Sequence, residues 1–97
     1  MKFLYIVRFK DSWYALPPKK QQALLMATMQ LNEKLTKDGI LKEGYMTGNM
    51  KGGAVIYEFK SPEEMARVAF EQPLFPFTDA EITPLVDFET AMKAGAK

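Results

Sequence analysis

Glu81 is the third residue of DAEITPL, residues 79–85, where acidic or polar residues alternate with apolar ones. Moving a proton between carbons needs a base held away from water and a hydrogen-bond donor for the enolate oxygen that develops. Glu81 fits the first role. Tyr5 and Tyr57, each two residues from other aromatic positions, fit the second through their hydroxyls. Arg8, at the end of the first apolar run, carries a guanidinium suited to bidentate pairing with a substrate carboxylate. Trp13 and Tyr14 stand in a segment able to close over a ligand as a lid. Thr83, on the strand face of Glu81, and Phe77, just ahead of it, complete the substrate-binding set.

Each of these side chains also has a structural reading. Glu81 fits an ion pair with a lysine or arginine at a subunit interface. The tyrosines fit core positions with satisfied hydroxyls, Arg8 fits a solvated strand end, and Trp13 and Tyr14 fit an intersubunit packing anchor. Met26, Met29, Met46, Met50 and Met65 suit either an adaptable pocket or a core.

Other chemistries are closed by composition. The chain of 97 residues has no cysteine and no histidine, which removes disulfides, thiolate nucleophiles and the commonest metal ligand. Asp79 and Glu81 share a strand face, but two carboxylates without a histidine make a poor transition-metal site; no metal and no cofactor are expected. GNMKGG, residues 48–53, lacks a strand–GxGxxG–helix setting and reads as a hairpin turn. Thirteen basic and twelve acidic residues are scattered along the chain, so no nucleic-acid partner is expected. The apolar run before Arg8 is too short for a signal-peptide core or a bilayer span, which points to the cytoplasm and to no membrane partner.

The elements that must position these residues follow from hydrophobic periodicity. Residues 3–10 read as a strand, with Phe3, Tyr5, Val7 and Phe9 on one face and Leu4, Ile6, Arg8 and Lys10 on the other. Pro17 and Pro18 suit the first turn of a helix that runs to Asp38, with Leu24, Thr28, Leu31 and Leu35 on one side and Gly39 as terminator. Residues 40–47 read as a second strand with a bulge at Gly44, and residues 54–59 as a third. Ser61, Pro62 and Glu64 form the start of a second helix with a capping box and the apolar stripe Met65, Val68 and Ala69. A stiff segment from Pro73 to Phe77 leads into a fourth strand closed by Pro84, and residues 86–97 read as a frayed helix or an arm. The order β-α-β-β-α-β in one domain, residues 1–97, predicts an α+β, ferredoxin-like antiparallel sheet with both helices on one face.

Two helices cover one sheet face, so the other must meet water, a ligand or a second sheet. With Leu4, Ile6, Ala54, Ile56, Ala80 and Ile82 assigned to the helices, the free face holds Phe3, Tyr5, Val7, Phe9, Val55, Tyr57, Phe59, Glu81 and Thr83. An aromatic patch of that size predicts sheet-to-sheet association into a homodimer or a higher homo-oligomer.

The stretch PLFPFTDAEITPL, residues 73–85, resembles the C-terminal signature of the muconolactone isomerase family, matching at Pro73, Leu74, Phe75, Pro76, Phe77, Asp79, Glu81, Thr83, Pro84 and Leu85. LPP before the first helix, KLTKDG at its end and YEFKSPEEM at the second helix are similar in looser fashion. The resemblance implies a ferredoxin-like chain that pairs into a dimeric α/β barrel, often within larger oligomers. It also implies an enzyme without metal or organic cofactor that shifts a double bond in a lactone, within bacterial catabolism of aromatic compounds. Three readings follow: a proton-moving isomerase acting on a small-molecule lactone or enone, a cofactor-free oxygenase or cyclase, and a non-catalytic ligand-binding or structural oligomer. An open, polar-lined cavity favours the enzymes; one filled by Phe3, Phe9 and Phe59 favours the last.

Overall fold

The computed structural model describes residues 1–95; the last two residues of the predicted tail lie outside the described part. Strand β1 (Lys2–Phe9) is followed by a four-residue helix α1 (Asp11–Tyr14) and the long helix α2 (Pro18–Lys37). A hairpin of β2 (Leu41–Met46) and β3 (Gly52–Glu58) leads to α3 (Pro62–Glu71). A 3-10 turn (Phe75–Phe77), β4 (Thr78–Pro84) and a last helix α4 (Phe88–Gly95) complete the order. The four strands form one antiparallel sheet in the order β2-β3-β1-β4, which is the ferredoxin-like arrangement.

Local chemistry accounts for the element ends. Pro18 occupies the first turn of α2, and Gly39, with φ +76°, takes the left-handed conformation that ends it. At α3 the Ser61 side chain accepts from the Glu64 amide at 3.1 Å, and the Glu64 carboxylate accepts from the Lys60 amide at 3.0 Å. These bonds satisfy amides that the helix itself cannot pair, a contribution of about 1 kcal/mol for such a cap. The bulge in β2 falls between Leu41 and Glu43, not at Gly44. The extra residue turns both Leu41, opposite Tyr57, and Gly44, opposite Val55, toward the helices, which an unbroken period of two could not do.

The core sits between the sheet and the two helices. Tyr5 and Tyr57 from the strands and Phe59, just after β3, meet Leu35 of α2, Ile40 after it, and Val68 of α3, with Phe3, Val7, Leu31, Leu41, Val55, Met65 and Ile82 packed around them. Leu35 and Val68 are almost wholly enclosed, and burial of each such side chain contributes about 1.5–3 kcal/mol.

This packing corrects the predicted face assignment. The aromatic set Phe3, Tyr5, Val7, Val55, Tyr57 and Phe59 lies under the helices, while Leu4, Ile6, Ala54 and Ile56 lie on the free face. The register sets which residues share a face, Tyr5 opposite Ile82 and Val55 and Ile6 opposite Glu81 and Ala54, and the packing of Leu35 and Val68 on Tyr5 and Tyr57 decides which face the helices cover. Ala80 and Ile82 do face the helices, but they share that side with the aromatic residues. Beyond β4, α4 carries Phe88 at 89% exposure and Met92 at 71%, an apolar side without a partner in the chain.

Candidate active site

Helix α2 packs closely onto the sheet only toward its C-terminal end, where Leu31 and Leu35 join the core. Its other turns leave an open cleft of about 750 Å³ between helix and sheet. Leu25, Thr28, Met29, Asn32, Glu33 and Thr36 form the helix wall, at the spacing of one helical face beside the core stripe. Tyr5, Val7, Phe9, Val55 and Tyr57 form the floor, and Gln72, Leu74 and Thr78 close one end. Gly44 and Gly53 belong to the floor too. A side chain at Gly44 would meet nothing within 4 Å, so this part of the floor is hollow because glycine stands there.

The tyrosines are the polar groups of the floor. Their rings lie 5.6 Å apart, tilted by 49°. Burial pushes the Tyr57 hydroxyl well above the ordinary tyrosine range, with a smaller contribution from the neighbouring Tyr5, and burial likewise raises Tyr5. Both are therefore neutral donors at physiological pH. Gln72 donates from its amide nitrogen to the Tyr57 oxygen at 3.5 Å and to the Val68 carbonyl at 3.3 Å. The Tyr57 oxygen thus serves Gln72 as acceptor, and its own proton stays free for a ligand. On the opposite wall, Glu33 is the one charged side chain among the described residues that line the cleft.

The structure divides the residues singled out in the sequence. Tyr5 and Tyr57 lie together in the cleft. Glu81, Thr83 and Arg8 lie on the other side of the sheet, exposed. The predicted grouping of Glu81 with the two tyrosines in one cavity is therefore corrected: the strand alternation that places Ile82 beside Tyr5 turns Glu81 away. Trp13 is buried, stacked on Phe9 at 5.0 Å and packed against Phe77 at 6.4 Å, which makes both Trp13 and Phe77 packing residues behind the cleft wall at Phe9. The predicted lid is confined to Tyr14, which is exposed and meets Phe9 edge-on at 6.2 Å. Phe75 packs on Phe70 of α3 at 5.1 Å. Phe3 and Phe59 pack on each other in the core and leave the cleft open, while Phe9 lines it. No cluster of three or more potential metal ligands occurs among the described residues.

Glu33, Asn32 and Gln72 were not singled out in the sequence. The signal for the first two was present as a second helical stripe, Leu25, Met29, Asn32, Glu33 and Thr36, running beside the core stripe. Gln72 follows α3 and carried no comparable pattern.

A family model described as muconolactone delta-isomerase matches residues 1–91. Among solved structures, the chain is similar to a muconolactone isomerase, with a TM-score of 0.76 and 22% identity over 90% of each chain. It is also similar to the 5-chloro-2-hydroxyhydroquinone dehydrochlorinase of Burkholderia phenoliruptrix, solved in complex with 2,5-dihydroxybenzoquinone. That match has a TM-score of 0.72 and 16% identity, covering 93% of this chain and 98% of the other. No curated protein sequence matches.

Proposed function

The chain belongs to the muconolactone delta-isomerase family, as a divergent member, and from that premise we propose that its cleft is the active site of a cofactor-independent enzyme moving a proton within a small oxygenated apolar molecule such as a lactone or an enone. The family is one of enzymes acting on small molecules. The observation that carries the reading is the pairing of two buried tyrosine hydroxyls on the floor with a lone carboxylate on the opposite wall.

In the proposed reaction the Glu33 carboxylate takes a proton from the γ carbon, the saturated carbon attached to the far end of the conjugated C=C–C=O unit. The electron pair of that C–H bond moves into the π system, and negative charge collects on the carbonyl oxygen. Tyr57 and Tyr5 hold that oxygen by donating hydrogen bonds, without giving up their protons; such preorganised donors stabilise charge where it develops. The Glu33 carboxyl then returns the proton to the α carbon, next to the carbonyl, so the double bond has moved from the α,β to the β,γ position and every group is restored. Val7, Val55, Leu25 and Met29 make the cleft lining largely apolar, a setting for an unsaturated hydrocarbon skeleton held by a few polar groups.

The likeness to a dehydrochlorinase supports a second outcome of the same first step. Where the carbon beside the deprotonated one bears chloride, the electron pair expels it and hydrogen chloride is lost.

The outer sheet face, with Leu4, Ile6, Ala54 and Ile56 at its centre, and the apolar side of α4 are read as surfaces of a homodimer or a larger homo-oligomer. Glu81, beside Arg8 and Asp79 on that face, then belongs to an interface ion-pair set. None of the described helices is long and apolar enough to cross a membrane; a place in cytoplasmic catabolism of aromatic compounds completes the reading.

The test is turnover of a panel of unsaturated lactones and enones by wild type and Glu33→Gln. A loss of kcat of about 100-fold or more is expected for the variant. Near-wild-type turnover removes Glu33 from the mechanism, and failure of the folded wild type to turn over any of them favours the ligand-binding oligomer.

A further inference from the structure

We propose that the cleft selects uncharged molecules and rejects carboxylates. The inference rests on the reading of the cleft as the substrate site, and concerns which class of lactone or enone it takes.

A carboxylate moved out of water needs a cation or several hydrogen-bond donors to replace its hydration. The cleft supplies no cation: no lysine or arginine lines it among the described residues, and its one charged group, Glu33, has the wrong sign. Three basic side chains are turned to other faces or partners. Arg8 projects from the opposite sheet face, Lys10 lies 3.8 Å from Asp79, and Arg67 is paired with Glu71 at 3.1 Å.

The hydroxyls are committed as well. Thr28 donates to the Leu24 carbonyl at 2.8 Å, Thr36 to the Asn32 carbonyl at 2.8 Å, and Thr78 to the Leu74 carbonyl at 3.0 Å. Those bonds point inward to backbone and leave the threonine protons unavailable to a ligand. Tyr5, Tyr57 and the Asn32 amide remain as donors, enough for one or two carbonyl or hydroxyl oxygens. An anion entering the cleft would therefore lose its water, find few replacements and face the Glu33 carboxylate. Repulsion of this kind discriminates between ligands of equal shape.

The experiment uses two probes that differ in charge and by one methyl group: an unsaturated γ-lactone bearing a carboxymethyl group, and its methyl ester; the Glu33→Gln comparison separates the charge from the methyl. Their affinities for the wild-type protein are measured by calorimetry at pH 7, together with those for Glu33→Gln and for Gly44→Leu, which fills the hollow floor. The ester is expected to bind at least tenfold more tightly than the acid, a difference of about 1.4 kcal/mol, and Glu33→Gln is expected to narrow the gap by improving the acid. Gly44→Leu should weaken the ester, which locates its binding in the cleft. Equal or tighter binding of the acid to wild type, with Gly44→Leu weakening it, overturns the charge selection while leaving the cleft as the site. Binding of neither probe, or binding that Gly44→Leu does not affect, overturns the active-site reading and this inference with it.

Discussion

Tyr5 and Tyr57 are diagonal neighbours across β1 and β3, their rings 5.6 Å apart on the helix-facing side of the sheet. Glu81 stands one residue along β4 from the partner of Tyr5, and so on the other side. A single step of strand alternation therefore separates two buried phenols on the cleft floor from a carboxylate on the exposed face of the sheet. The candidate base shifts from β4 to Glu33 on α2.

Replacing Glu81 tests that separation directly. Glu81→Gln is expected to keep turnover within about threefold of wild type, since surface substitutions away from a site change little. A loss comparable with that of Glu33→Gln would return Glu81 to the chemistry.

Tyr57→Phe removes one donor and keeps the ring. The expected loss in kcat is about 100-fold, in line with removal of a single oxyanion donor, with KM changed far less. Tyr57 is also a core residue, so thermal unfolding must accompany the kinetics; a variant that folds normally and turns over at the wild-type rate removes Tyr57 from the mechanism.

Both tyrosines titrate above the ordinary value of 10.0, because the folded chain holds their protons more tightly than the unfolded chain does. The stability this brings is complete below about pH 10 and is lost as pH rises toward the folded-state values. Urea unfolding at pH 9 and pH 11 is expected to show a larger loss for wild type than for Tyr57→Phe. Equal losses would mean that burial does not hold the Tyr57 proton.

The glycines of the hairpin should separate folding from binding. A side chain at Gly52 would run into the Val7 carbonyl and the Arg8 backbone, so Gly52→Ala is expected to cost about 2–4 kcal/mol. Gly44→Ala meets open space and should leave stability within about 0.5 kcal/mol of wild type. Denaturant midpoints for the two variants decide the matter, and a stable Gly52→Ala would show that β1 and β3 can move apart.

The outer sheet face is tested by mass in solution. A homo-oligomer is expected for wild type, and Ile6→Lys, at the centre of that face, should shift the mass measured by light scattering toward the 11.0 kDa of one chain. An 11.0 kDa wild type removes the oligomer.

Much of the fold was legible in the residues alone. The capping box at Ser61 and Glu64, the glycine stop at Gly39 and the order of strands and helices are local signals. Each depends on hydrogen bonds or dihedral angles within a few positions, and the structure carries each of them. PLFPFTDAEITPL, through its resemblance, pointed to the family that the match over residues 1–91 establishes. The bulge was misplaced by two residues because a glycine marks where a strand can bend, while the register against β3 decides where it does.

The site was less legible. Tyr5 and Tyr57, which line the cleft, were singled out from their aromatic, alternating surroundings, which also mark a buried sheet face. Glu33 was overlooked among the charges of a long helix, since nothing local distinguishes a carboxylate over a cleft from one over solvent. Alternation told which side chains share a face of each strand, because successive residues of a strand point to opposite sides. It could not tell which face the helices would cover when both were apolar, nor how β4 would align with β1. Those choices rest on contacts between segments dozens of residues apart: the closure of Leu35 and Val68 over Tyr5 and Tyr57, and the register that sets Ile82 against Tyr5 and Glu81 against Ile6. Packing and register made the cleft and chose its carboxylate, and they exist only once the chain has folded.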